Sequence, residues 1–218
     1  MSNTPTTVPL ADNALTTLDD MKTMLGIAPN DTDAQRDNVI VNLINSASAW
    51  IERKTGRKLG KQTYTQKYVA SGTQELVLLQ WPILSVEYVR DTQYNEVIPP
   101  SEYDYNVSGE IDVLYKDNGW AYRGYVGGLA YDYVAPMRYL EVQYTAGYTL
   151  PKDATTEDPS TLPADLQGVV WGMVQQEFST MQNGAQGLSA FSISDVSWTF
   201  DKAIREDWLT TVGYYTRL

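Results

Sequence analysis

The strongest constraint on this chain lies between Leu15 and Leu59, LTTLDDMKTMLGIAPNDTDAQRDNVIVNLINSASAWIERKTGRKL, which reads as a short helix, a turn and a long helix. Leu18, Met21 and Leu25 fall at helical spacing, Thr17 and Asp20 form an [ST]-x-x-[DE] cap, and Gly26 supplies the stop. In the long helix Ile40, Leu43, Ile44, Ala47 and Ile51 make one apolar stripe, with Val39 and Trp50 on its shoulders. Asp31, Asp33 and Asp37 sit at its positive pole, and Arg53, Lys54 and Gly56 at its negative pole. About 20 residues of helix span roughly 30 Å, so the stripe requires a second helix or a sheet along its whole length.

A partner recurs near the other end of the chain. Pro163 opens a stripe of Leu166, Val169, Val170, Met173, Val174 and Phe178. Gly168 and Gly172 lie four apart beside it, where they lower helix propensity and permit tight packing. Trp50, Ile51, Gly168 and Gly172 are therefore the expected inter-helix packing residues.

Between these helices the pattern turns to strand. Thr63 to Val69 alternates, Glu75 to Leu79 is a compact apolar run, and Ser85 to Arg90 alternates again. Tyr103 to Val107 and Glu110 to Tyr115 read as a hairpin about Ser108 and Gly109, and Arg138 to Tyr144 closes the sheet. Asp117 to Pro136 is rich in glycine and aromatics, but Gly124, Gly127 and Gly128 fit neither G-x-G-x-x-G nor a P-loop, so a long loop is expected. Past the second long helix, Gln182 to Ser189 reads as a spacer. Phe191 to Phe200 is one strand-like run, and Ala203 to Tyr215 is a last helix carrying Ile204, Trp208, Leu209 and Val212 at helical spacing.

The fold class expected is α+β. Residues 1–14, polar and with two prolines, form a mobile arm. Residues 15–60 and 163–218 build a small helical bundle with a C-terminal strand and helix, residues 61–148 an inserted antiparallel β subdomain, and residues 149–162 a linker.

Composition removes most enzyme classes. The 218 residues contain no cysteine and no histidine, which excludes disulfides, thiolate nucleophiles, imidazole metal ligands and Ser-His-Asp triads. Asp31 and Asp33 resemble the start of a calcium loop, but the later ligands and the glycine are missing. Glu102 with Asp104, or Glu110 with Asp112, stand near tyrosines as in a glycosidase cleft, yet i, i+2 positions on a strand share a side and are as readily solvent-facing neighbours. No catalytic residue, metal or cofactor is expected. A net charge of −11 with no basic run longer than a pair argues against tight nucleic-acid binding, while an acidic wall would let DNA slide past. No stretch reaches the ~18 apolar residues of a membrane span, and the first 14 residues lack the basic and apolar parts of a signal peptide. Sixteen Tyr and six Trp against three Phe suit half-exposed sheets and interfaces. Those aromatics also leave a carbohydrate-binding reading of the β subdomain open.

Several motifs carry a resemblance. Leu18, Asp20, Lys22, Leu25, Gly26 and Ile27, followed by Ala47, Ile51, Glu52, Arg53, Thr55, Gly56 and Arg57, resemble the opening of the phage head-tail connector (adaptor) proteins. Tyr144, Ala146, Gly147 and Tyr148 resemble the Y-x-A-G-Y strand exit of that family. Leu162, Pro163, Asp165 and Leu166 resemble its L-P-x-D-L helix start, Ser194 to Trp198 its polar-aromatic strand, and Tyr215 with Arg217 its terminal Y-x-R.

The resemblance implies a virion neck protein without catalytic residues, assembled in the host cytoplasm as a homo-oligomeric ring, commonly of twelve subunits. The ring would sit under the portal protein, dock a stopper or tail protein, and pass DNA without specific binding or any membrane contact. A tail-completion protein is the neighbouring alternative. Terminal segments and loops commonly make the contacts in that family. By position, Trp198, Phe200, Trp208, Tyr214, Tyr215 and Arg217 are the candidates for portal or neighbour contacts, and Trp120, Tyr122, Arg123 and Tyr125 for a loop toward the lumen or tail.

Overall fold

A computed structural model describes residues 7–28, 30–105, 107, 111–120, 139–182, 190–193, 196–199 and 205–216. The elements begin with helices α1 (Leu18–Met24) and α2 (Ala34–Thr55). Strands β1 (Gln62–Val69), β2 (Glu75–Val77), β3 (Ile83–Asp91), β4 (Glu96–Ile98), β5 (Asp104–Tyr105), β6 (Val113–Tyr115) and β7 (Tyr139–Ala146) follow. The chain continues through α3 (Ala164–Gln182), β8 (Ala190–Ile193), β9 (Val196–Thr199) and α4 (Glu206–Gly213). The class is α+β. Its contacts divide it into residues 1–59 with 149–218, and residues 60–148.

In the helical unit α2 packs against α1, α3 and α4. Ile40, Ile44, Ala47 and Ile51 of its stripe are buried, as are Leu166, Val169, Val170, Val174 and Phe178 of α3. Each such fully buried aliphatic side chain contributes about 1.5–3 kcal/mol. The ends are fixed locally. Asp33 caps α2 by accepting from the N–H groups of Gln35 and Arg36, and Gly56 ends it in the left-handed region at φ +68°. Thr17 caps α1 by accepting from the N–H of Asp20. The strand-like run 191–200 is two strands, β8 and β9, paired as an antiparallel hairpin with Ile193 opposite Val196.

The β unit has an antiparallel sheet in the order β1-β7-β3-β4 and a second in the order β2-β6-β5. Alternation sorts its residues. Tyr68, Val89, Leu140, Val142, Tyr144 and Ala146 point into a core shared with Leu76, Leu78, Tyr103, Leu114 and Trp120. On the other face Lys67 pairs across from Glu141, and Glu141 from Arg90, so charges alternate in sign across three strands. Tyr88 donates to Glu141 at 3.0 Å, and that bond raises its phenol above the usual range.

The core holds one polar knot. The hydroxyls of Tyr68 and Tyr144 each donate to Gln66 Oε1 at 2.6 Å and lie 2.9 Å from each other. Their oxygens accept from the N–H groups of Leu79 and Gln80 at 3.0 and 3.2 Å, which fixes the chain between β2 and β3. Burial first, and then the Tyr68 contact, push the Tyr144 phenol far above its ordinary range. The strand exit Ala146-Gly147 is held by the Gly147 N–H donating to the Pro82 carbonyl at 3.0 Å, with Gly147 at φ +106°.

Residues 7–14, expected to be mobile, lie along α2. The N–H groups of Val8 and Ala11 and the Pro9 carbonyl bond to side chains of that helix, while the Ala14 N–H donates to the Ala11 carbonyl.

Candidate assembly surface

The segment before α1 is held by residues seven apart on α2. The N–H of Val8 donates to Asn38 Oδ1 at 2.7 Å and the N–H of Ala11 to Asn45 Oδ1 at 2.8 Å. Asn45 Nδ2 donates back to the Pro9 carbonyl at 3.1 Å, and Asn13 Nδ2 donates to Glu52 Oε2 at 2.9 Å. A further N–H, that of Leu15, donates to Ser48 Oγ at 3.0 Å, with Ala14 and Leu15 fully buried. Asn38, Asn45 and Glu52 fall on one line of the helix because seven residues are nearly two turns. This polar line was the sequence signal for a docked segment.

Glu52 also explains the motif at the end of α2. Its buried carboxylate accepts from the Leu59 N–H at 3.1 Å and from Lys58 Nζ at 3.0 Å. Thr55 Oγ1 donates to the Ile51 carbonyl at 3.0 Å, and Gly56 turns the chain. At the other end Lys22 is buried and its Nζ donates to the Asp31 carbonyl at 3.0 Å and to Asp37 Oδ2 at 2.6 Å. Arg36 donates to Asp31 Oδ2 at 2.9 Å, and this bond holds the Asp31 carboxyl below the usual range.

The last helix lies on α3 through two contacts. A Cβ on Gly172 would stand 2.8 Å from Trp208 Cζ2, so the bare glycine is the seat of the indole. Tyr215 then donates to the Asp165 carboxylate, 2.8 and 2.9 Å from its two oxygens. Trp208 beside Gly172 and Tyr215 beside Asp165 make α4 run antiparallel to α3, with Val212 buried between them. Tyr214, next along, is 77% exposed.

An apolar groove of about 340 Å³ opens between α2 and α3. Leu43, Ala47, Trp50, Met173 and Val174 line it, with Arg53 and Glu177 at its rim. Lys54 Nζ stands 5.9 Å from the centre of the Trp50 ring. Leu43 and Trp50 are the stripe and shoulder residues that α3 leaves partly uncovered.

A family model described as head completion protein matches residues 14–167. The chain belongs to the head completion protein family. Membership makes it a structural component of a phage-like virion, acting at the joint of head and tail. Its fold is similar to a chain in the neck of an empty gene transfer agent particle computed with C6 symmetry, with TM-score 0.52 and 13% identity, covering 98% of this chain and 95% of that one. It is also similar to a chain in the virion of a native gene transfer agent particle, with TM-score 0.51 and 15% identity, again over 98% of this chain and 95% of that one. No curated protein matches the chain.

The family match begins at Ala14 and runs through α1, α2, the β unit and the start of α3, so α4 lies beyond it. Of the residues singled out from the sequence, the structure seats Trp208 on Gly172 and, at the other end of the same face of α3, Tyr215 on Asp165. Gly168 faces open space, so it permits no close approach, and Ile51 is fully buried. Trp120, expected on a loop toward the lumen or tail, is a core residue instead: it is 1% exposed and its indole donates to the Leu114 carbonyl at 3.2 Å. Trp198 lies in β9, and Phe200, Arg217, Tyr122, Arg123 and Tyr125 fall outside the described residues. Glu102, one of the carboxylates considered for glycoside chemistry, is ion-paired with Lys116. Among the described residues no group of acidic side chains could hold a metal ion, and no helix is long and apolar enough to cross a membrane.

Proposed function

We propose that this member of the head completion family is a head-tail connector that forms a homo-oligomeric ring under the portal protein and presents its other face to a stopper or tail protein. The observation that carries the reading is the family match over residues 14–167, which takes in the capped hairpin, the β unit and the L-P-x-D-L start of α3. The C6 symmetry of the neck that contains a similar fold supports a ring.

Function is then geometric rather than chemical. Repeated subunits leave an axial passage, and a net charge of −11 per chain keeps DNA from adhering as it moves through. The C-terminal segment bearing Trp198, Phe200, Tyr214 and Arg217 is assigned to portal or neighbour contacts, with Trp208 and Tyr215 seating it. The loop with Tyr122, Arg123 and Tyr125 is assigned to the lumen or tail side.

Electron microscopy of particles made with a stop codon in this gene tests the reading. Tailless heads beside free tails of normal length are expected. Intact tailed virions would overturn it.

A further inference from the structure

We infer that the C-terminal end of α2 touches the phosphate backbone of duplex DNA through Arg53, Lys54 and Lys58. The inference rests on the reading of a ring that passes DNA, and names the surface of each copy that meets it. Five of the sixteen basic residues, Arg53, Lys54, Arg57, Lys58 and Lys61, fall within nine positions that contain no acidic residue, in a chain of net charge −11. Arg53, Lys54 and Lys58 of the helical unit are exposed, and the Lys58 side chain is 63% exposed.

The fold sets these cations in place. Gly56 turns the chain, the Leu59 N–H donates to Glu52, and Thr55, Arg57 and Leu59 are buried. Lys58 is thereby returned to the last turn of the helix, where its Nζ meets the buried Glu52 carboxylate. Among the described residues Arg53 and Lys54 form no ion pair, so the positive charge of this end exceeds what one buried carboxylate offsets. Charge complementarity calls for a polyanion. A neighbouring copy is acidic too, but protein interfaces are depleted in lysine and anchored by aromatic and apolar groups, whereas the exposed side chains here are all cationic. Phosphate contacts need only charge, carry no sequence information and weaken as salt rises. Repeated around a ring, they make a positive collar on an otherwise acidic protein. One copy holds DNA too weakly to stop it sliding, and many copies together restrain it.

Formaldehyde joins lysine amines to DNA and tests the contact in the particle itself. DNA-filled particles are fixed and digested with nuclease, and the chain is mapped by mass. Nucleotide adducts are expected at Lys54 and Lys58, well above those at Lys67, which is exposed on the β unit. In particles carrying Arg53→Gln with Lys54→Gln, both at exposed positions outside the core of α2, the Lys58 adduct should fall by about two-fold or more with tails still attached. Equal adducts at Lys67, no adducts at all, an unchanged Lys58 adduct in the double variant, or Lys54 and Lys58 joined to protein instead of DNA would each overturn the inference and leave the ring standing. Particles that lack the chain altogether would remove the ring reading, and this contact with it.

Discussion

Helices α2 and α4 are held in opposite ways. The first spans 22 residues, has side-chain or glycine caps at both ends, buries Ile40, Ile44, Ala47 and Ile51, and uses a polar line to bind the preceding segment. The second has 8 residues, no side-chain cap and one buried residue, Val212, so beyond its packing on α2 its position depends on the Trp208 seat and the Tyr215 bond to α3. Helices that short are marginal on their own. A unit built this way has a fixed frame and a separable end, and the end carries the most exposed aromatic described, Tyr214.

The largest effect should come from the frame. Glu52→Ala removes the acceptor for Asn13, Lys58 and the buried Leu59 N–H. It should cost about 2–3 kcal/mol in urea unfolding of the whole helical unit. A loss confined to residues 7–14 would show that α2 does not depend on this carboxylate, and would erase the contrast with α4.

Gly172→Ala attacks the other side. The new methyl group would overlap the Trp208 ring, an overpacking cost of about 1–2 kcal/mol that falls on α4, while alanine favours α3 itself. Amide exchange in α4 should accelerate by about ten-fold or more, with α2 unchanged. Equal acceleration in both helices would mean that α4 is part of the frame.

Tyr215→Phe should do less. The bond to Asp165 is partly exposed and contributes about 0.5–1 kcal/mol, a two- to five-fold change in α4 exchange. Asp165→Asn combined with Tyr215→Phe should cost no more than Tyr215→Phe alone if the two act as one contact. Additive losses would separate them.

The contrast also explains what could be read in advance. The stripe of α2 and its ends were legible because periodicity and capping are local properties of sequence. The docking of residues 7–14 was not, since the segment contributes backbone groups, and the residues that bind them, Asn38 and Asn45, look like ordinary solvent-facing positions. Their seven-residue spacing was the available signal. Gly172 was legible as a packing glycine, but its partner, Trp208, lies 36 positions later in the chain and no local pattern pairs the two. The same holds for Asp165 and Tyr215. Trp120 was misread because a Gly-rich context suggests a loop, while burial of an indole depends on the strands that surround it. The three-residue strand β4 is too short for alternation to reveal.

The smallest predicted effect concerns the first turn of α2 and its response to acid. Arg36 donates to Asp31, and that bond lowers the folded carboxyl below its ordinary value of 3.8. A depressed folded value means that the unfolded chain takes up the proton first as pH falls. The contribution is thus present above about pH 4 and is lost as pH drops through the folded value. Asp31→Asn should lower stability slightly at neutral pH, and its unfolding curve should converge with that of the unaltered chain below about pH 4. The loss should appear as faster exchange at residues 31–37, with none in α4, because the bond spans only the entry to α2. A difference that persists unchanged into acid would show that Asp31 acts through packing or turn geometry, not through its charge.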